Sequence, residues 1–247
     1  MKEDNFIPGI YNYCDRWCER CDFAHRCKLF YDEQKQLAEN DGKDDFIEIV
    51  SQNLEKTVEL LQDIAEEKGF DLEDIKADDD AIEQEQEKFK DAQQHPMVLL
   101  TQSYLKETIQ WFEDHDHLEP EKNKFLKNID LGIQLDESDK ALRVIDEAIS
   151  ILNWYKFQMT VKLTSAIHSY PHDPRFEDKV QNRHHASAKI VLIGVQNSMK
   201  AWQSLLEIIQ DDDGKIVDRL LELHRLQKMI HQHFPLLHQF KRPGFDY

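Results

Sequence analysis

A chain of 247 residues that is 40% apolar and 32% charged holds enough apolar material for a sizeable core. Its longest strongly apolar run, Ile190–Val195, is far too short to span a bilayer. A formal net charge of −18 disfavours nucleic acid and anionic lipid as partners, so no membrane association is expected and nucleic acid is an improbable ligand.

Seven glycines and seven prolines in this length predict few turns, and so long helices rather than a many-stranded sheet. The opening residues, MKEDNFIPGI, show neither a basic n-region nor an apolar h-region. A signal peptide is therefore not expected, and a cytoplasmic location with reduced thiols is.

All four cysteines fall between residues 14 and 27, in the order Cys14-x3-Cys18-x2-Cys21-x5-Cys27. Two disulfides would need an oxidising compartment, which the sequence does not suggest. Four thiolates at short, unequal spacings suit one metal site, either a 4Fe–4S iron–sulfur cluster or a tetrahedral zinc. Iron–sulfur is favoured, because common zinc modules separate two C-x2-C pairs by a longer loop.

The stretch Cys14-x3-Cys18-x2-Cys21 resembles the cysteine spacing of radical S-adenosylmethionine enzymes. Arg20 stands where that family places an aromatic residue, and the βα repeats of its barrel are absent, so the resemblance stops at the spacing. Cys18-x2-Cys21-Asp22-Phe23-x3-Cys27 is similar to the C-x2-C-x-(Phe/Tyr)-x3-C segment that helps to hold a 4Fe–4S cluster in some DNA-processing nucleases. That likeness implies a metal and not an activity, since those enzymes' carboxylate and lysine motif on strands has no counterpart here.

Around the thiols, Arg16, Arg20, Arg26 and Lys28 either offset thiolate charge or are ordinary surface bases balanced by Asp15, Glu19 and Asp22. The aromatics Tyr11, Tyr13, Trp17, Phe23, Phe30 and Tyr31 are expected to pack the loop onto the helical body.

Further along, apolar residues recurring at steps of three and four predict five helices. The first covers about 44–68 through Phe46, Val50, Leu54, Val58, Leu61 and Ile64/Ala65, with Gly69 as its stop. Residues 71–94 are polar and acidic, a linker that carries a solvated helix at most. The second core helix covers about 96–115, with Pro96 in its first turn and Val98, Thr101, Leu105, Thr108 and Phe112 on its apolar face. A short helix near 120–129 follows.

The third long helix, about 137–169, is expected to be capped by Asp136 or Ser138. The prolines of SYPHDPRF end it, a fourth covers about 177–210, and a fifth runs from 215 to Pro235. The fold class is thus all-α, an antiparallel helical bundle of about five long helices at 44–247, with a cysteine-rich metal-binding segment at 1–43 and an acidic linker near 70–95.

Rival sites are weaker. A carboxylate-bridged metal centre in the bundle needs Glu-x-x-His pairs, and only Asp22-x-x-His25 and Asp114-x-x-His117 come near. The stretch Glu113–His117 offers His115, Asp116 and His117 to a divalent metal or is a plain helix terminus. His184 and His185 lie at the start of the fourth helix, where an anion could bind. Residues 215–247 hold six bases, three acids and four of the twelve histidines. In so acidic a chain that segment is either the place for an acidic protein or nucleic-acid partner, with His224 and His231 on one face and Lys228 between them, or a plain helix surface. No catalytic residue is assigned.

Overall fold

The computed structural model describes residues 5–39, 46–69, 79–114, 118–170, 178–209 and 214–246. Among them there is no strand; they hold eight α-helices, with short 3-10 turns before the first and after the last. In chain order these are α1 (Lys28–Glu39), α2 (Phe46–Lys68), α3 (Asp79–Gln93), α4 (Pro96–Glu113), α5 (Leu118–Asp130), α6 (Leu135–His168), α7 (Arg183–Leu206) and α8 (Lys215–His233). No described helix is long and apolar enough to cross a membrane.

The chain divides into two compact units. The first comprises residues 1–11 and 18–87; the second comprises 12–17 and 88–247. The division passes through the cysteine segment and again within α3.

In the second unit, α6 packs against α7, α4 and α5, while α8 packs against α7 and α4. α4 starts where His95 Nδ1 accepts the Met97 N–H at 3.3 Å and Pro96 supplies a preset φ. Its buried side is Met97, Val98, Thr101, Tyr104, Thr108 and Trp111. Leu105 and Phe112, expected on that face, are only partly covered, so the buried stripe is rotated toward the two aromatics.

α6 is not capped by Asp136 or Ser138. Its N-cap is Gln134, in the left-handed region at φ 47° with no side-chain cap, and Ser138 N–H instead makes a backbone bond to Gln134 O at 2.9 Å. α7 starts later than expected, at Arg183, because Asn182 caps it: Asn182 Oδ1 accepts the His185 N–H at 2.9 Å.

The densest contact lies between α6 and α7. A Cβ on Gly194 of α7 would stand 3.0 Å from Tyr155 Cδ1 and 3.1 Å from Met159 Cγ of α6, so glycine permits the close approach. Trp202 of α7, fully buried, meets Trp111 edge-on at 4.8 Å and donates from Nε1 to Tyr104 Oη at 2.9 Å. Burying each such side chain contributes about 1.5–3 kcal/mol. Arg219 of α8, 7% exposed, pairs with Glu107 of α4 and with Glu222 at 2.9 Å, so its charge does not stand alone in the core.

The first unit is built differently. α2 forms where periodicity places it, but Leu54, Val58, Leu61 and Ile64 are exposed, and of its described side chains Ala65 alone is buried. The described part of the expected core stripe is therefore exposed except at Ala65, and the side chains of Phe46 and Val50 lie outside what is described. α3, divided between the two units, is solvated as expected, and its one buried residue, Ala92, belongs to the second unit. Residues 70–78 of the expected acidic linker lie outside the described residues. α1, inside the cysteine-rich segment, was not anticipated by the sequence reading.

Candidate functional site

Residues 12–17 lie along α6 through a set of polar bonds centred on Asp15. Trp154 Nε1 donates to the Asp15 backbone oxygen at 3.1 Å, and Gln158 Nε2 donates to the same oxygen. The Tyr155 hydroxyl donates to Asp15 Oδ2 and accepts from Asn197 Nδ2 of α7 at 3.1 Å. Burial, reinforced by the Asp15 carboxylate, pushes the Tyr155 phenol above its ordinary value.

Trp17 stacks on Trp154 with centroids 4.9 Å apart and an interplanar angle of 14°, and Tyr13 lies 6.2 Å from Phe240. Both aromatics pack against the core of the second unit, as expected of Tyr13 and Trp17. Arg16, between the two anchors, takes a positive φ of 60° and is exposed. That strained turn directs its neighbours Asp15 and Trp17 onto α6.

Cys14 precedes this anchor and is partly buried. Lys162 of α6 feels both it and Arg16. Burial first, then Arg16, lowers the Lys162 ammonium pKa, while Cys14 acts the other way. Lys162 is thus a cation within electrostatic reach of one of the four thiols, a role for which Arg16, Arg20, Arg26 and Lys28 were weighed against that of ordinary surface bases. Those four are exposed; Arg26 Nε donates to Asn5 O at 3.4 Å and Lys28 pairs with Asp32 at 3.4 Å.

The other three cysteines belong to the first unit, where the backbone repeats at their own spacing. Cys21 N–H bonds Cys18 O at 3.2 Å, Ala24 N–H bonds Cys21 O at 3.1 Å, and Cys27 N–H bonds Ala24 O at 3.1 Å. Successive three-residue turns tend to bring every third residue to one side of the chain. Cys27 is 8% exposed and its carbonyl accepts the Tyr31 N–H at 3.0 Å, which starts α1. Within the same unit, Ile7 N–H bonds Arg26 O at 3.0 Å and Phe6 meets Tyr31 at 5.6 Å, so residues 5–10 fold back over the turns.

No disulfide joins the four cysteines. By donor chemistry they fit a thiolate-bound metal: four thiols, one buried and three partly buried, with backbone N–H groups close by in the turns. Among the described residues, no group of three or more His, Cys, Asp or Glu side chains is arranged to hold a metal ion. No family model, curated protein or solved structure matches the chain.

Of the rival sites, His115, Asp116 and His117 lie outside the described residues. His184 and His185 are 1% and 3% exposed and packed among aromatic rings, which leaves no opening for an anion at that helix start. His224, Lys228 and His231 are exposed on α8, whereas His238 leaves the helix after Pro235 and hydrogen-bonds its carbonyl at 2.9 Å. Beyond α8 the chain folds inward, burying Phe234, Leu237 and Phe240. The Asp15 anchor was missed because a lone aspartate between a cysteine and an arginine carries no signal of partners that lie 139 to 143 residues away.

Proposed function

We propose that the protein is a metal-binding helical protein in which Cys14, Cys18, Cys21 and Cys27 hold one site, an iron–sulfur cluster in preference to zinc. The site serves structure, sensing or electron transfer rather than catalysis. The observation that carries this is the confinement of every cysteine to one fourteen-residue segment, with backbone turns that repeat every three residues from Cys18 to Cys27. When bound, a 4Fe–4S cluster supplies one-electron redox chemistry.

The chain's own residues do the rest. Asp15 and Trp17 fix the backbone next to Cys14, and Lys162 offsets thiolate charge there. Cys27 anchors the start of α1. The helices of the second unit form an antiparallel bundle that acts as the body the site serves, and a cytoplasmic location keeps the thiols reduced.

A second reading, a helical scaffold with a structural zinc, is favoured by the exposed apolar stripe of α2 and by the basic face of α8, which suits an acidic protein partner. For a bundle metalloenzyme the supporting observation is missing, because no described buried residue is Asp or Glu. The test is the metal and sulfide content of protein purified without oxygen. Iron with acid-labile sulfide and a broad visible absorption supports the cluster. Zinc alone turns the reading to the scaffold, and a colourless chain with neither metal overturns both.

A further inference from the structure

Four helix ends of the second unit converge on a cluster of histidines that the metal reading does not use. His95 caps the start of α4, Tyr170 follows the end of α6, His184 and His185 open α7, and His233 closes α8. The rings form a continuous contact. His95 meets His233 at 5.0 Å, His233 meets Tyr170 at 5.0 Å, Tyr170 meets His184 at 5.1 Å, and His184 meets His185 at 4.3 Å. Phe234 stands against His184, His185 and His233.

The charge states within this cluster follow from its bonds. His95 Nδ1 accepts the Met97 N–H, so that nitrogen is unprotonated and the ring is neutral. A second proton would occupy Nδ1, end the cap and put a positive charge at the positive end of the α4 dipole. His185 Nδ1 lies 2.9 Å from the Val180 carbonyl and 3.1 Å from Asn182 Nδ2. A further proton on either His184 or His185 would meet the positive end of α7.

His233 sits at the favourable negative end of α8, but His95 is its neighbour. Among the described residues, His168 is edge-on to Phe89 at 5.6 Å, and the Asp178 carboxylate accepts from the Val180 and Gln181 amides. No described carboxylate is placed to neutralise a protonated His95–His233 pair.

We propose that this junction is an acid-released latch: protonation of His95 and His233 removes the α4 cap, sets two positive charges against each other, and frees the start of α4 from the end of α8. The direction agrees with the titration of both rings. Burial lowers His95, and burial together with the charge of His95 lowers His233. The closed junction thus binds fewer protons than the open one. Its closure is fully favoured above the ordinary histidine pKa of about 6.5 and is lost as pH falls below it.

The test is amide hydrogen exchange on the full chain at neutral and mildly acidic pH, corrected for intrinsic rates. It reads Val98 and Leu99, both bonded to His95 O, and Phe234, bonded to Ile230 O, against the middle of α6. Protection at these amides falls about tenfold or more on acidification, and the fall disappears in H95N/H233Q, whose asparagine still caps α4 but does not titrate. An equal fall in both proteins, or none in the wild type, overturns the latch. Should the double variant not fold, ring resonances of the wild type decide. His95 and His233 both titrating below the ordinary histidine range uphold it, and ordinary titration overturns it.

Discussion

Helix α7 buries fourteen of its 24 residues, whereas α2, of nearly the same length, buries Ala65 alone among its described side chains. Both have an apolar face at helical spacing. What distinguishes α7 is its supply of buried small residues, Ala186, Ala188, Gly194 and Ala201, of which Gly194 stands close against Tyr155 and Met159 of α6. α2 presents large side chains, Leu54, Leu60 and Leu61 among them, with few small ones between. Periodicity therefore sets where a helix forms, and the small residues set how closely a neighbour can approach.

The comparison breaks most visibly at Trp202. Trp202→Ala removes a fully buried ring and the partner of the Tyr104 hydroxyl, and is expected to cost about 3–5 kcal/mol in urea unfolding. A cost near zero would place α7 on the same footing as α2. Gly194→Ala comes next, at about 1–3 kcal/mol by thermal unfolding, because Tyr155 is held by Asp15 and Asn197 and cannot give way.

Asp15→Ala leaves the Tyr155 hydroxyl with Asn197 alone and is expected to cost about 1–2 kcal/mol, with a change in tryptophan fluorescence as the Trp17–Trp154 stack loosens. Tyr155 also gives the sign of an alkaline effect. Its folded pKa lies above the ordinary value, so its contribution is complete below about pH 10 and is lost as pH rises beyond it. The wild type should then destabilise more steeply in alkali than a Tyr155→Phe chain, and parallel curves would contradict this. The smallest effect belongs to Leu61→Ala on the exposed stripe, within about 0.5 kcal/mol of wild type.

These sites also mark how far the sequence could be read. Pro96 and Pro235 bracket helices that form as expected, since proline's missing N–H acts locally. The α6 cap was not legible: Gln134 adopts a left-handed turn that its residue type does not announce. α1 was missed beside the cysteines, which drew that segment's reading toward a loop. The four thiols stand out in the sequence because they are adjacent. Their anchor does not, because Asp15 meets α6 only through the fold. The histidine junction was equally hidden, its rings being spread over positions 95, 184, 185 and 233 with no common spacing.

The claim that all four cysteines form one site is tested most directly by reconstituting wild type and the four single Cys→Ser chains with ferrous iron and sulfide under anaerobic conditions. Wild type should bind iron and sulfide with a visible absorption band, and each variant, Cys14→Ser included, should lose most of it. A wild-type chain that takes up no iron would contradict the account. So would a Cys14→Ser chain that forms the same chromophore as wild type, because the thiol beside the Asp15 anchor would then lie outside the site.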